Sequence, residues 1–169
     1  VTEKLIGFPP RFTDQATILV LGSMPGRASL DASEYYAHPR NAFWSIMAQV
    51  FGFDANQPYE RRVDSLLQHK VALWDVVHRC VRTTSLDSDI VSDTVEVNDF
   101  GSLFVSCPQI HRVCLNGQAA ARLYRRHVLQ ELPQAREIEW QVLPSTSPAH
   151  AAMRFEEKCQ QWQQALLKQ

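Results

Sequence analysis

Three short segments of this chain carry residue types that could do chemistry together. The first, Gly22-Ser23-Met24-Pro25-Gly26, sets glycines around a conformationally fixed proline. Such a loop can turn its backbone amides into a cavity and bind a phosphate, a carboxylate or the edge of a base. It is neither a GK[ST] phosphate loop nor a GxGxxG fingerprint, and taken alone it also reads as a structural turn. The second, Tyr35-Tyr36-Ala37-His38-Pro39-Arg40-Asn41-Ala42-Phe43-Trp44, is dense in aromatic, amide and guanidinium groups and suits a planar ligand. A ring stacks on a base, while an asparagine bonds a base edge or holds a water molecule. Asn41 is equally placed to cap a following helix, and Phe43 and Trp44 read as core. The third, Leu143-Pro144-Ser145-Thr146-Ser147-Pro148-Ala149-His150, has small hydroxyl residues between prolines. That makes a thin, rigid loop fit to press into a groove and grip phosphates, or else a connector in which Ser147 caps the last helix.

Buried strands must position these loops. Residues 16–22 form a continuous apolar run with β-branched members that stops at Gly22, as a parallel strand does. Residues 23–40 have no sustained period and read as one long loop. Phe43, Ile46, Met47 and Val50 have helical spacing over 42–51, and a second helix is expected over 59–69. Residues 71–77 read as another buried strand, with the acidic Asp75 near its end, and 79–98 as polar and irregular. A strand over 110–115 stops at Asn116-Gly117 before a helix over 119–129, and a strand over 138–143 stops at Pro144 before an amphipathic helix over 150–167. Strands alternating with helices predict an α/β fold, a parallel sheet between helix layers, with the ligand beyond the strands' C-terminal ends.

The bulk properties narrow the class without choosing the function. With 169 residues, 45% hydrophobic and 21% charged, residues 1–169 are expected to form a single globular domain. No apolar run approaches membrane-spanning length and no secretory leader pattern is present, so a cytoplasmic protein, nucleoid-associated in a bacterium, is expected. Cys80, Cys107, Cys114 and Cys159 are widely spaced, and the histidines show no ligand pattern, so neither a metal nor another cofactor is expected. A net charge of −1 argues mildly against nonspecific DNA binding but leaves room for a local cluster of donors.

In this order and at these strand ends, the three segments resemble the uracil-DNA glycosylase superfamily. G-S-M-P-G resembles its first motif and L-P-S-T-S-P-A-H its second. The run Y-Y-A-H-P-R-N-x-F-W is similar to the mismatch-specific uracil enzymes and still more to the hypoxanthine-DNA (deoxyinosine) glycosylase branch. Supporting matches are A-L-W-D-V at 72–76, S-L-D-S-D-I at 85–90 and N-D-F at 98–100. The likeness runs from about residue 5 to 167. It implies a three-layer α/β/α sandwich around a four-stranded parallel sheet, and an enzyme that flips a deaminated base from DNA and hydrolyses its N-glycosidic bond to leave an abasic site.

Two departures reassign roles within that resemblance. Several branches carry an Asn or Asp in the first motif to handle the attacking water, whereas this chain has Ser23-Met24. The catalytic asparagine of the hypoxanthine branch falls on Asn41. The second motif of the efficient uracil enzymes opens with a histidine that donates to the leaving base, and here Leu143 stands in its place. Base binding is then assigned to the Gly22, Ser23, Met24 and Pro25 backbone, with Tyr36 stacking on the flipped base. Arg40, Ser145, Thr146, Ser147 and His150 are expected to contact DNA, with Arg79 and Arg82 as further phosphate ligands. The implied partner is DNA containing hypoxanthine, or uracil, bound by a monomer. The alternatives are a hydrolase of free nucleosides or nucleotides and a noncatalytic damaged-DNA-binding module.

Overall fold

The computed structural model describes residues 3–168. Its centre is a four-stranded parallel sheet of β2 (Ile18–Gly22), β3 (Val71–Asp75), β6 (Arg112–Asn116) and β7 (Glu139–Leu143), in the order β3-β2-β6-β7. β2 pairs on both sides, which is why its sequence is apolar throughout. Its side chains still alternate. Leu19 and Leu21 join the cluster of Phe100, Leu103, Phe104, Ala121 and Tyr124, supplied by α4 (Phe100–Ser106) and α5 (Gln118–Tyr124). Ile18 and Val20 join Phe43, Ile46, Met47, Val63, Leu66 and Trp162, supplied by α2 (Phe43–Phe51), α3 (Tyr59–Gln68) and α6 (Phe155–Leu167). The expected three-layer α/β/α sandwich with a four-stranded parallel sheet is therefore what the chain forms. The four cysteines are buried and unpaired.

Several boundaries differ from the sequence reading. The run 71–77 is not one strand. β3 ends at Asp75, and β4 (Val77–Cys80) leaves for a small antiparallel sheet with β1 (Leu5–Ile6) and β5 (Glu96–Val97). The break is held by Asn98, whose Nδ2 donates to the Asp75 carbonyl at 2.7 Å and whose N–H donates to the Val76 carbonyl at 3.1 Å. The expected loop 23–40 contains the short helix α1 (Arg27–Ala32), and the irregular stretch 79–98 holds two 3₁₀ turns besides β5. α5 passes into a π-helical turn over Arg125–Leu129. The last helix begins at Phe155, not at His150, and its N-cap is Arg154, so Ser147 caps nothing there.

Gly117, between β6 and α5, shows how the strand ends are drawn together. Its φ of 95° and ψ of 170° suit glycine almost alone, and a Cβ there would lie 3.0 Å from the Ser145 Cβ. Its N–H donates to the Leu143 carbonyl at 3.0 Å. Gly117→Ala is expected to destabilise the fold by about 1–3 kcal/mol from backbone strain, read by urea denaturation, and to displace the loop after β7.

Candidate active site

The C-terminal ends of β2, β3, β6 and β7 open into a cavity of about 270 Å³. Ligand pockets usually span roughly 300–1,000 Å³, so this one suits a single base better than a larger ligand. Gly22, Ser23, Met24, Pro25, Tyr36 and Asn41 line it, together with Ser145, Thr146 and Ser147. Three segments spread over more than a hundred residues of chain thus meet at one cavity. Arg40 and His150 are not in the lining, and Arg40 is exposed on the surface beside it.

The first loop is tied down by its carbonyls. Those of Gly22 and Ser23 accept the Val76 and Val77 N–H groups, at 2.9 and 3.0 Å, and that of Pro25 accepts Arg82 Nη2 at 2.6 Å. In a trans peptide the N–H points opposite to the C=O, and no peptide here is cis among the described residues. The amides of Ser23, Met24 and Gly26 therefore face away from the protein body, on the side of the cavity their residues line. Arg82 was expected on a phosphate. It is 6% exposed and buried beneath this loop, where its charge holds the loop's shape. Arg79 lies on the small sheet, paired with Glu96 at 3.3 Å.

The Tyr35–Trp44 segment divides its aromatics between core and cavity. Tyr35 is core: its hydroxyl donates to the Pro9 carbonyl at 2.8 Å, and its own carbonyl accepts Trp44 Nε1 at 2.9 Å. Tyr36 takes a left-handed backbone, φ 57°, which turns its ring to lie over Phe43 with centroids 4.0 Å apart. Residues 38–41 form a turn in which the His38 carbonyl accepts the Asn41 N–H at 2.9 Å. Asn41 Oδ1 accepts the Phe43 N–H at 2.9 Å, so the capping role and the site role coexist, although Ala42 occupies the formal cap position. That bond fixes which way the amide faces. One oxygen lone pair and both Nδ2 hydrogens are left to offer to the cavity.

Thr146 knots the site together. It is 1% exposed, so the phosphate contact expected of it is out of reach. Its N–H and Oγ1 pair with Asn116 Oδ1 and Nδ2, both at 3.0 Å, and its carbonyl accepts the Ala42 N–H, also at 3.0 Å. Lys158 of α6, 5% exposed, donates from Nζ to the carbonyls of Ser145 at 2.8 Å and His150 at 2.6 Å. Burial lowers its pKa. Lys158→Met removes two charge-assisted bonds that clamp this loop, and each such bond contributes about 1.5–3 kcal/mol. The variant is expected to lose about 3 kcal/mol of stability, read by urea denaturation.

The sequence reading left Asp75, Asp87, Ser85 and Asn116 without a role, and all four line the cavity. Ser23 Oγ donates to Asp87 Oδ1 at 2.5 Å, and the Arg27 N–H donates to Ser85 Oγ at 3.0 Å, so the S-L-D-S-D-I segment packs directly on the first loop. Asp75 stands in register beside Gly22 on the neighbouring strand. Burial pushes its carboxyl up to about 7, the nearby Asp87 adds to this, and Arg82 opposes it. Burial also raises Asp87, against its bond from Ser23. Among the described residues no cluster of His, Cys, Asp and Glu could hold a metal ion, and no helix is long and apolar enough to cross a membrane.

Comparison with known proteins agrees with this architecture. Two curated proteins named hypoxanthine DNA glycosylase are each 32% identical to the chain. One, from Methanosarcina acetivorans, aligns over 85% of this chain and 87% of its own length. The other, from Methanosarcina barkeri, aligns over 87% and 89%. A solution NMR structure of a Methanosarcina acetivorans protein, described as a candidate uracil DNA glycosylase, superposes with a TM-score of 0.81 at 29% identity and covers 97% of each chain. The model of the uracil DNA glycosylase superfamily matches residues 9–168, the span that contains every cavity-lining side chain described above, and the chain belongs to that superfamily.

Proposed function

We propose that this enzyme excises hypoxanthine from DNA, and uracil as a second substrate, by hydrolysis of the N-glycosidic bond. The observation that carries the reading is the base-sized cavity in which Asn41, already oriented by the Phe43 N–H, lies with an amide-lined loop and an aromatic wall. The relatives named for hypoxanthine favour that base over uracil.

Extrusion of the nucleotide brings the base against Tyr36, whose far face is already braced by Phe43. The Ser23 and Met24 amides meet the base edge. Asn41 holds the water that attacks C1′ as the bond to the base opens. Positive charge then grows on the sugar and negative charge on the base, and fixed dipoles stabilise both better than mobile water does. Ser145 and Ser147, half-buried at the cavity rim, hold the flanking phosphates, with Arg40 and His150 farther along the strand. Thr146 serves this loop as its internal anchor. The enzyme works as a monomer in the compartment that holds the genome.

Incubation with duplexes carrying a single deoxyinosine or deoxyuridine, followed by alkali, is expected to nick the damaged strand. Intact strands for every deaminated base would overturn the reading, and turnover of free inosine in their place would point to a nucleoside hydrolase.

A further inference from the structure

Two polar groups in the cavity are left poorly satisfied. Asp75 Oδ2 is buried with no hydrogen-bond partner among the described residues, and the buried Tyr36 hydroxyl has only the side chain of Asn116 near enough to favour its ionised form, without a well-formed bond to it. The two side chains converge on Gly22, Asp75 through its other carboxyl oxygen, Oδ1. A Cβ at that position would sit 2.5 Å from Asp75 Oδ1 and 3.1 Å from the Tyr36 hydroxyl, so glycine leaves the room in which the two side chains approach. Buried polar groups are almost always satisfied, and two poorly satisfied groups on residues that line a ligand cavity point to a ligand that completes them.

We propose that Asp75, in its neutral form, protonates the departing base, and that the Tyr36 hydroxyl grips the same base beside it. The assignment rests on the glycosylase reading above. It supplies what Leu143 cannot, because that side chain is apolar and buried against the sheet. In this step the C1′–N bond breaks and its electron pair goes to the base, which takes the Asp75 proton and leaves neutral. Water adds its oxygen to C1′, and the proton it sheds returns to the Asp75 carboxylate.

The surroundings hold the carboxyl far above the ordinary carboxylate range when the site is empty, so that a large share of it stays protonated near neutral pH. The groups that face it are Asp87 from the S-L-D-S-D-I segment, Arg82 from the chain after β4, and Tyr36 and Tyr35 from the aromatic loop. Of these only Arg82 favours the ionised form, and burial together with Asp87 outweighs it. A neutral acid near pH 7 is the form that can donate.

Single-turnover excision of hypoxanthine by the wild-type enzyme should fall as pH rises through about 7. Asp75→Asn should be slower by roughly 10² at pH 6 and flat across that range. The loss should shrink on 5-fluorouracil, a base that leaves readily as an anion without a proton. Asp87→Asn should shift the wild-type limb to lower pH. An Asp75→Asn enzyme that keeps the alkaline limb, or that loses the same factor on both bases, would refute the assignment. An infrared carboxylic-acid band in the wild-type protein, titrating near neutrality, reads the proton without any need for activity. Should Asp75→Asn not fold, absence of that band overturns the proposal and its presence with the wild-type alkaline limb supports it. A wild-type enzyme that cleaves no deaminated base would instead overturn the function itself, even with the band present.

Discussion

Asn41→Ala is expected to slow base excision by roughly 10² to 10³ under single-turnover conditions, the scale seen when one positioned polar group is removed from an active site. The expectation follows from how the side chain is held. Its Oδ1 is fixed by the Phe43 N–H, and the His38–Asn41 turn sets its backbone, so the amide meets the cavity already oriented. The same bond caps the start of α2, and its loss costs only about 1 kcal/mol. Stability and rate therefore separate. Thermal melting should change little while the rate collapses. Asn41→Asp keeps an acceptor for the Phe43 N–H but lacks the Nδ2 hydrogens, and it should fold normally and remain slow. An alanine variant with the wild-type rate would remove Asn41 from the mechanism.

Asp75→Asn is expected to stabilise the protein, and by an amount that grows with pH. The Asp75 carboxyl is raised from its ordinary 3.8 to about 7 in the folded state. A carboxyl raised on folding favours the native state fully at pH below its unfolded value, and that advantage is lost as pH climbs through the folded value. A rise of that size corresponds to roughly 4 kcal/mol, an upper bound by linkage. The amide of the variant cannot ionise, so it escapes the loss. Urea denaturation of the two proteins should agree near pH 4 and diverge across pH 4–7, with the variant ahead by a few kcal/mol at pH 8. Equal curves at pH 8 would mean that the native carboxyl is solvated. The variant thus trades rate for stability, as a residue kept for chemistry should.

Much of the scaffold was legible in the sequence, because the sandwich depends on apolar runs that stop at polar turns. The run over 16–22 and the spacing of Phe43, Ile46 and Met47 predicted β2 and α2 to within two residues. The elements that went unseen are short. α1 has six residues, and β1 and β5 have two each, too few for any period to register. α4 was findable, since Phe100, Leu103 and Phe104 have helical spacing behind Asp99, which accepts the Ser102 N–H as a cap. The strand break after Asp75 lay hidden in a continuous apolar run. It needed the partner Asn98, 23 residues away, to be known.

The cavity lining was legible where loop chemistry decides placement, and obscure where burial does. That Ser23 to Pro25, Tyr36 and Asn41 line one cavity could be anticipated from loop chemistry and resemblance. Lys158, Arg82 and Arg112 could not, because a buried cation and a solvated one look alike in sequence. Arg112 lies within a strand and is 2% exposed, its guanidinium engaged by the carbonyls of Ala165 and Lys168 at the end of α6. Asp75 was visible as an acid in an apolar strand, but that its Oδ2 lacks a partner among the described residues is a property of the folded cavity.

The Thr146 knot bears on which lesions this enzyme can find. One residue joins the Asn41 turn to Asn116 and to the loop after β7, so these walls of the cavity are tied to one another before any ligand arrives. A receptor with no slack contributes little to prising a nucleotide out of the duplex. The duplex must supply the opening by its own breathing, so a weakly paired base will enter more often than a well paired one. Ranked by the base opposite the lesion, excision rates should follow the instability of the pair, with a single strand fastest of all.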